Sequence, residues 1–160
     1  MTTQISKYSK LQVILHWGTL VLLLASFVSH EGIKAAWRTV SRGGEATVDF
    51  AGNVHIYVGL AVIALTAIRL IVRFVTGVPP EVEGQPPLQA LIAKLAHWGL
   101  YALLFALPAS GAIAWFGGVK DLGDVHEILF NLSLAVVGLH VVGALYHQFV
   151  VKDKLINRMM

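Results

Sequence analysis

The sequence predicts an all-α integral membrane protein, a four-helix bundle in up-down-up-down order. Three observations predict it. Apolar residues make up 56% of the 160-residue chain and charged residues only 13%, against roughly 45–50% and about 25% in ordinary globular domains. Four segments are each long and apolar enough to cross a bilayer. Seven histidines are distributed among and beside those segments, where ionisable groups are costly and tend to be functional.

A membrane helix needs about 20 mainly apolar residues. The first span is expected over about 11–29, the second over about 54–74, the third over about 95–116 and the fourth over about 128–151, in one domain covering 1–160. Three polar connections separate them. The first, about 30–53, carries His30, Glu31, Lys34, Arg38, Arg42, Glu45 and Asp49. The second, about 76–90, holds Gly77, Pro79, Pro80, Pro86 and Pro87, residues that stop helices and suit a loop. The third is short: Gly117, Gly118, Lys120, Asp121, Gly123 and Asp124. No small-residue cleavage site follows the first span, and His16 lies inside it, so it reads as a span and not as a cleaved signal.

Charge placement sets the expected direction. Lys7, Lys10, Arg69, Arg73, Lys94, Lys152, Lys154 and Arg158 fall on one side, and Lys34, Arg38, Arg42 and Lys120 on the other. The positive-inside rule then puts both termini in the cytoplasm. A net charge of +3 is too small to suggest a nucleic-acid partner, and none is expected. The chain has no cysteine, which excludes disulfides, thiolate metal sites, iron–sulfur clusters and c-type haem attachment.

The histidines sort by depth and face. At 1.5 Å and 100° per residue, fourteen residues make ~21 Å and return to nearly the same face. His126 and His140 are fourteen apart on the fourth span, with Ser133 midway and His147 seven further on. On the second span one stripe reads His55, Gly59, Val62, Thr66, Arg69, Arg73. His16 lies near the inner end of the first span and His30 at its outer end. Imidazole is a common haem ligand, and bundles hold cofactors between facing helices. His55 with His126 makes an outer haem site. His16 with His140 makes an inner one, and a depth count from the cytoplasmic side offers His147 as the alternative partner. Gly59, one turn from His55, lets a flat macrocycle approach the backbone. Arg69 is a candidate partner for haem propionates, with Arg73 a second candidate or a snorkelling cation. His97 and Tyr101, one turn apart on the third span, are candidates for hydrogen bonds to a quinone or a propionate.

Several segments carry a family resemblance. They are KYSKLQVILHW at 7–17, NVHIYVGLAVIALTAIRLIVRF at 53–74, KLAHWGLYALLFALPASG at 94–111, VHEILFNLSLAVVGLH at 125–140 and the closing YHQFVVKDKLINRMM. Together they resemble the prokaryotic di-haem cytochrome b561 family, related to the cytochrome b subunits of nickel–iron hydrogenases and formate dehydrogenases. The resemblance implies two b-type haems held by histidines of the first, second and fourth helices. Those positions match His16, His55, His126 and His140 here, which promotes His140 over His147 and leaves His30, His97 and His147 as non-ligands.

The resemblance also implies a bacterial inner-membrane location and single-electron transfer between the outer face and the quinone pool. Within the family, superoxide oxidation with ubiquinone as acceptor is the activity it suggests, and the chain is read as a superoxide:ubiquinone oxidoreductase. Superoxide is an anion, so outer cations would steer it, and Arg38 and Arg42 are the candidates. One alternative is a non-enzymatic cytochrome subunit between a periplasmic dehydrogenase and quinone. The short outer connections argue instead for a self-contained protein or a homodimer. A second alternative is a histidine-based metal or proton transporter, which would call for an intramembrane Asp or Glu away from the span ends.

Overall fold

The computed structural model describes residues 7–45, 47–81 and 84–160. Four helices account for most of them: α1 (Lys10–Ser41), α2 (Phe50–Thr76), α3 (Pro87–Gly117) and α4 (Asp121–Tyr146). α4 runs on into a π-helical turn, His147–Val151, and a 3-10 turn follows at Leu155–Met159. Each of the four helices is long and apolar enough to cross a membrane. Their outer surfaces carry many exposed large apolar side chains, among them Ile14, Val28, Ile71, Ile128 and Leu139. That is the surface lipid covers, and lipid is the expected partner on every flank.

Local chemistry starts and stops the helices. Ser9 caps α1 in a capping box with Gln12, and Asp49 Oδ1 accepts from Gly52 N at the start of α2. Pro87 stands at the first position of α3, where its missing N–H costs nothing. Gly118 closes α3 in the left-handed conformation at φ 68°.

Consecutive helices are antiparallel. At one end Gln12 Nε2 donates to Gly77 O, Arg158 Nη1 to Pro80 O and Trp17 Nε1 to Met159 O. The start of α1, the α2–α3 connection and the chain's end therefore meet there. At the other end Lys120 Nζ donates to Ser41 O, tying the end of α1 to the α3–α4 connection. α1 packs along α2 and α3 along α4, with α2 also against α3. The backbones of α1 and α2 stand off from that of α4.

The helices outrun the apolar stretches. α1 has 32 residues, or ~48 Å at 1.5 Å per residue, against ~30 Å of hydrocarbon. The first connection is accordingly 42–49 and not 30–53. Residues 30–41 stay helical because their polar side chains pair along the helix (Lys34 with Glu31 at 3.6 Å) while Ala36 is buried. Arg38 thus lies in the last turn of α1 and not in a loop, and Arg42 is its C-cap. Pro87 begins a helix instead of ending one, so α3 starts eight residues before the apolar stretch at 95. Asp121, Gly123 and Asp124 belong to the first turn of α4, where the two acids oppose the helix dipole.

α1 and α2 cross backbone to backbone at Gly32 and Gly52. A Cβ on Gly32 would stand 2.5 Å from Gly52 N, and one on Gly52 would stand 3.1 Å from Ile33 N. Small residues at such crossings let membrane helices approach. Gly52→Val should therefore lower the thermal midpoint of the detergent-solubilised protein, by about 1–3 kcal/mol of overpacking or more. Gly99→Ala, where an added methyl meets nothing within 4 Å, should not. Equal effects from both would show that the crossing is not tight.

Candidate cofactor site

A histidine inside a span has two ring nitrogens to satisfy away from water. In the half of the bundle that the lysine and arginine bias predicts to be outer, and called outer below, one nitrogen of each ring is accounted for. His55 Nδ1 faces Ser26 O of α1 at 2.9 Å, with Ser26 Oγ at 3.2 Å. His126 Nδ1 faces Leu107 O of α3 at 2.7 Å, with Ser110 Oγ at 3.3 Å. A carbonyl only accepts, so each Nδ1 carries the proton and donates. Each Nε2 is then left with a lone pair. The two rings face each other with centroids 6.2 Å apart.

That is the donor chemistry of a metal bound between two imidazoles, with the Ser26 and Leu107 carbonyls behind the rings fixing tautomer and orientation. Two metal–nitrogen bonds of about 2.0–2.1 Å each, plus the inner halves of two rings, come to roughly 6 Å. The backbones of α1 and α2 stand off from that of α4, and the histidine couples bridge that interval. At Gly59 an added Cβ would meet only Pro108 Cβ, at 3.9 Å. Gly59 is therefore not held by close helix packing.

The inner half repeats the distance with different partners. His16 of α1 and His140 of α4 have centroids 6.3 Å apart. Arg69 of α2 donates from Nη2 to His16 Nδ1 at 3.2 Å and from Nη1 to Thr19 Oγ1 at 3.0 Å. Here Nδ1 accepts, so neutral His16 carries its proton on Nε2, opposite to the outer pair. Arg69 also lies over the Tyr101 ring at 5.5 Å, and Arg73 over Tyr101 at 6.0 Å and Trp98 at 5.8 Å. Two guanidinium groups thus share one tyrosine, and no carboxylate pairs with either among the described residues. His97 stands edge-on to His140 at 5.4 Å. The inner cluster therefore joins His16, His140, Arg69, His97 and Tyr101.

Other histidines are committed elsewhere. His147 Nδ1 pairs with Asp153 Oδ2 at 2.5 Å, and the two side chains are only 13% and 10% exposed. This pair pins the chain's last turn and has no contact with His16. His30 Nδ1 bonds Phe27 O at 2.6 Å while Nε2 meets Glu31 at 3.0 Å. Among the described residues, no group of three or more His, Asp or Glu converges as a bare metal-ion site. His55 has His126 beside it, while His140 has both His16 and His97.

Sequence reasoning missed the residues behind the ligand candidates. Ser26, Ser110 and the Leu107 carbonyl orient the outer rings. Gly111 makes room, since a Cβ there would stand 2.8 Å from the His126 ring. The available signal was the Ser110–Gly111 pair beside Pro108 in an otherwise apolar span, small groups of the kind that bond across membrane helices. Ser133, midway between His126 and His140, has a buried hydroxyl without a hydrogen-bond partner among the described residues.

The pairs make separable expectations. His55→Ala and His126→Ala should each remove one and the same haem from the reduced-minus-oxidised spectrum, and His16→Ala and His140→Ala the other. His147→Ala should keep both and lower thermal stability instead, since it strands Asp153 in a buried pair. Loss of a haem in His147→Ala, with both retained in His140→Ala, would reassign the inner ligand.

Comparison with known proteins agrees with this architecture. The family model for prokaryotic cytochrome b561 matches residues 7–160. A cytochrome b562 of Cereibacter sphaeroides is 37% identical, over 99% of this chain and 98% of its own. A probable superoxide oxidase, CybB, of Yersinia pestis is 32% identical, over 96% of each chain. Cytochrome b561 homolog 1 of Escherichia coli is 27% identical, over 97% of each. The chain is a haem-binding, electron-transfer membrane protein and belongs to the prokaryotic cytochrome b561 family.

Proposed function

We propose that the chain holds two b haems and oxidises superoxide at the outer face of the bacterial inner membrane, with ubiquinone as electron acceptor. The observation that carries this reading is the pair of facing histidine couples, His55–His126 and His16–His140, at two depths of one bundle. Haem b held by these histidines would supply a one-electron couple suited to outer-sphere transfer. The overall balance is two superoxide anions and one ubiquinone, with two protons, giving two dioxygen and one ubiquinol. Similarity to a protein named as a probable superoxide oxidase supports the choice of donor.

The chain's own residues do the rest. Ser26 O and Leu107 O hold His55 and His126 with Nε2 unprotonated. Arg69 and Arg73 wait for carboxylates, which haem propionates provide. With Arg69 engaged by a propionate, His16 would be free to carry its proton on Nδ1 instead of Nε2 and to hold the group through Nε2. His97 and Tyr101, beside this inner cluster, are the candidates for hydrogen bonds to the quinone. Both termini lie on the cytoplasmic side in this reading, on the strength of the lysine and arginine bias. A C-terminal reporter should then be active only in the cytoplasm, and periplasmic activity would invert inner and outer throughout.

Arg38 and Arg42 are exposed, one turn apart at the end of α1, with no ion-pair partner among the described residues. Two nearby acids are engaged: Glu31 with His30 and Lys34, and Asp49 with Gly52 N. Lys34 is paired with Glu31 and Lys120 with Ser41 O, so Arg38 and Arg42 are the cations left to attract an approaching anion locally. Superoxide generated in solution should reduce the haems of the purified, oxidised protein. The rate should fall with salt, since the Debye length is about 10 Å at 0.1 M, and fall severalfold in Arg38→Ala/Arg42→Ala. Reduction by quinol but not by superoxide would favour the alternative of a cytochrome subunit serving a periplasmic dehydrogenase.

A further inference from the structure

The helical extension of α1 beyond the apolar stretch has a defined seat. Trp37 is the residue it delivers. Indole atoms of Trp37 lie 2.7–2.8 Å from where a Cβ on Gly123 would stand, so only glycine at that position admits the ring. The Trp37 and Trp115 ring centroids are 6.4 Å apart. Ala36 and Ala114, their chain neighbours, are 5% and 4% exposed. Lys120 Nζ donating to Ser41 O, at 2.9 Å, fastens the far end of the extension.

The two contacts of Trp37 stand one helical turn outside His126. Gly123 precedes His126 by three residues on α4. Trp115 follows Gly111 by four on α3, and Gly111 is the residue whose Cβ would strike the His126 ring. One turn is about 5.4 Å. The indole therefore seats against α3 and α4 one turn outside His126, on the side away from His140.

From this placement we infer that Trp37 roofs the His55–His126 site against water and thereby raises the reduction potential of the haem held there. The inference rests on the di-haem reading. Its sign follows from charge. The iron centre of a bis-imidazole haem is cationic when ferric and neutral when ferrous, and water stabilises the cation. A dry shell therefore favours the reduced form, which is the form that accepting an electron from an outer donor requires. Trp37 is a positioning residue in this scheme and touches neither the ligand nitrogens nor the donor.

Redox titration of the purified protein, followed by visible absorbance, tests it. Wild-type protein should titrate in two waves. Trp37→Ala should shift only the wave lost in His55→Ala, and shift it downward. Trp37→Phe, which restores an apolar ring, should recover most of the shift. Gly123→Ala, which displaces the indole without removing it, should move the same wave in the same direction and serves if Trp37→Ala does not fold. Variants that keep both haems with unchanged midpoints would overturn the roof while leaving the di-haem reading intact. A shift of the wave that survives His55→Ala would also overturn it. Wild-type protein that titrates in no wave assigned to His55 would overturn the reading and the roof together.

Discussion

An imidazole placed in hydrocarbon must find a partner for each of its nitrogens, and the bundle is arranged around that requirement. Helix backbones have almost nothing to offer, because their carbonyls are already engaged in their own ladders. Ser26 O and Leu107 O nevertheless accept from His55 and His126. These second bonds settle the outer site. They place the protons on Nδ1 and leave each Nε2 with a free lone pair, in rings whose centroids are 6.2 Å apart, which is the donor set a metal centre between them would use.

The same requirement explains the uneven packing. α1 lies tightly on α2 through Gly32 and Gly52, and α3 lies along α4, yet α4 keeps its backbone away from α1 and α2. The histidine couples bridge those wider gaps, His16 of α1 and His55 of α2 each reaching toward α4. The inner half adds a second demand, because Arg69 sits in a span against Thr19, His16 and the Tyr101 face, with no carboxylate pairing among the described residues. A guanidinium in that setting calls for an anion, and a haem carries two carboxylates.

Much of this was legible in the sequence because membrane helices keep strict periodicity. Fourteen residues between His126 and His140 return to one face two layers apart, and that single spacing predicts both depths. Arg69 was legible for the same reason, lying on the His55 stripe. The bonds that orient the rings were not. Whether Ser26 faces His55, or Ser110 faces His126, depends on the rotation of one helix against another, which hydropathy does not encode. The end of α1 was misread on different grounds. Apolar residues mark where hydrocarbon ends, whereas the helix continues as long as its side chains find partners, and Trp37 found Gly123 and Trp115. Pro87 was read as a breaker because proline stops helices in their interior, although at a first position it starts one.

The central claim is that two histidine couples hold two haems in one chain. The most direct measurement is the ratio of haem to protein in purified material, with haem determined as the pyridine haemochrome and protein by amino-acid analysis. Two couples give an expected ratio of two b haems per chain. A ratio of one would contradict it by leaving one of the couples, His55–His126 or His16–His140, without a cofactor.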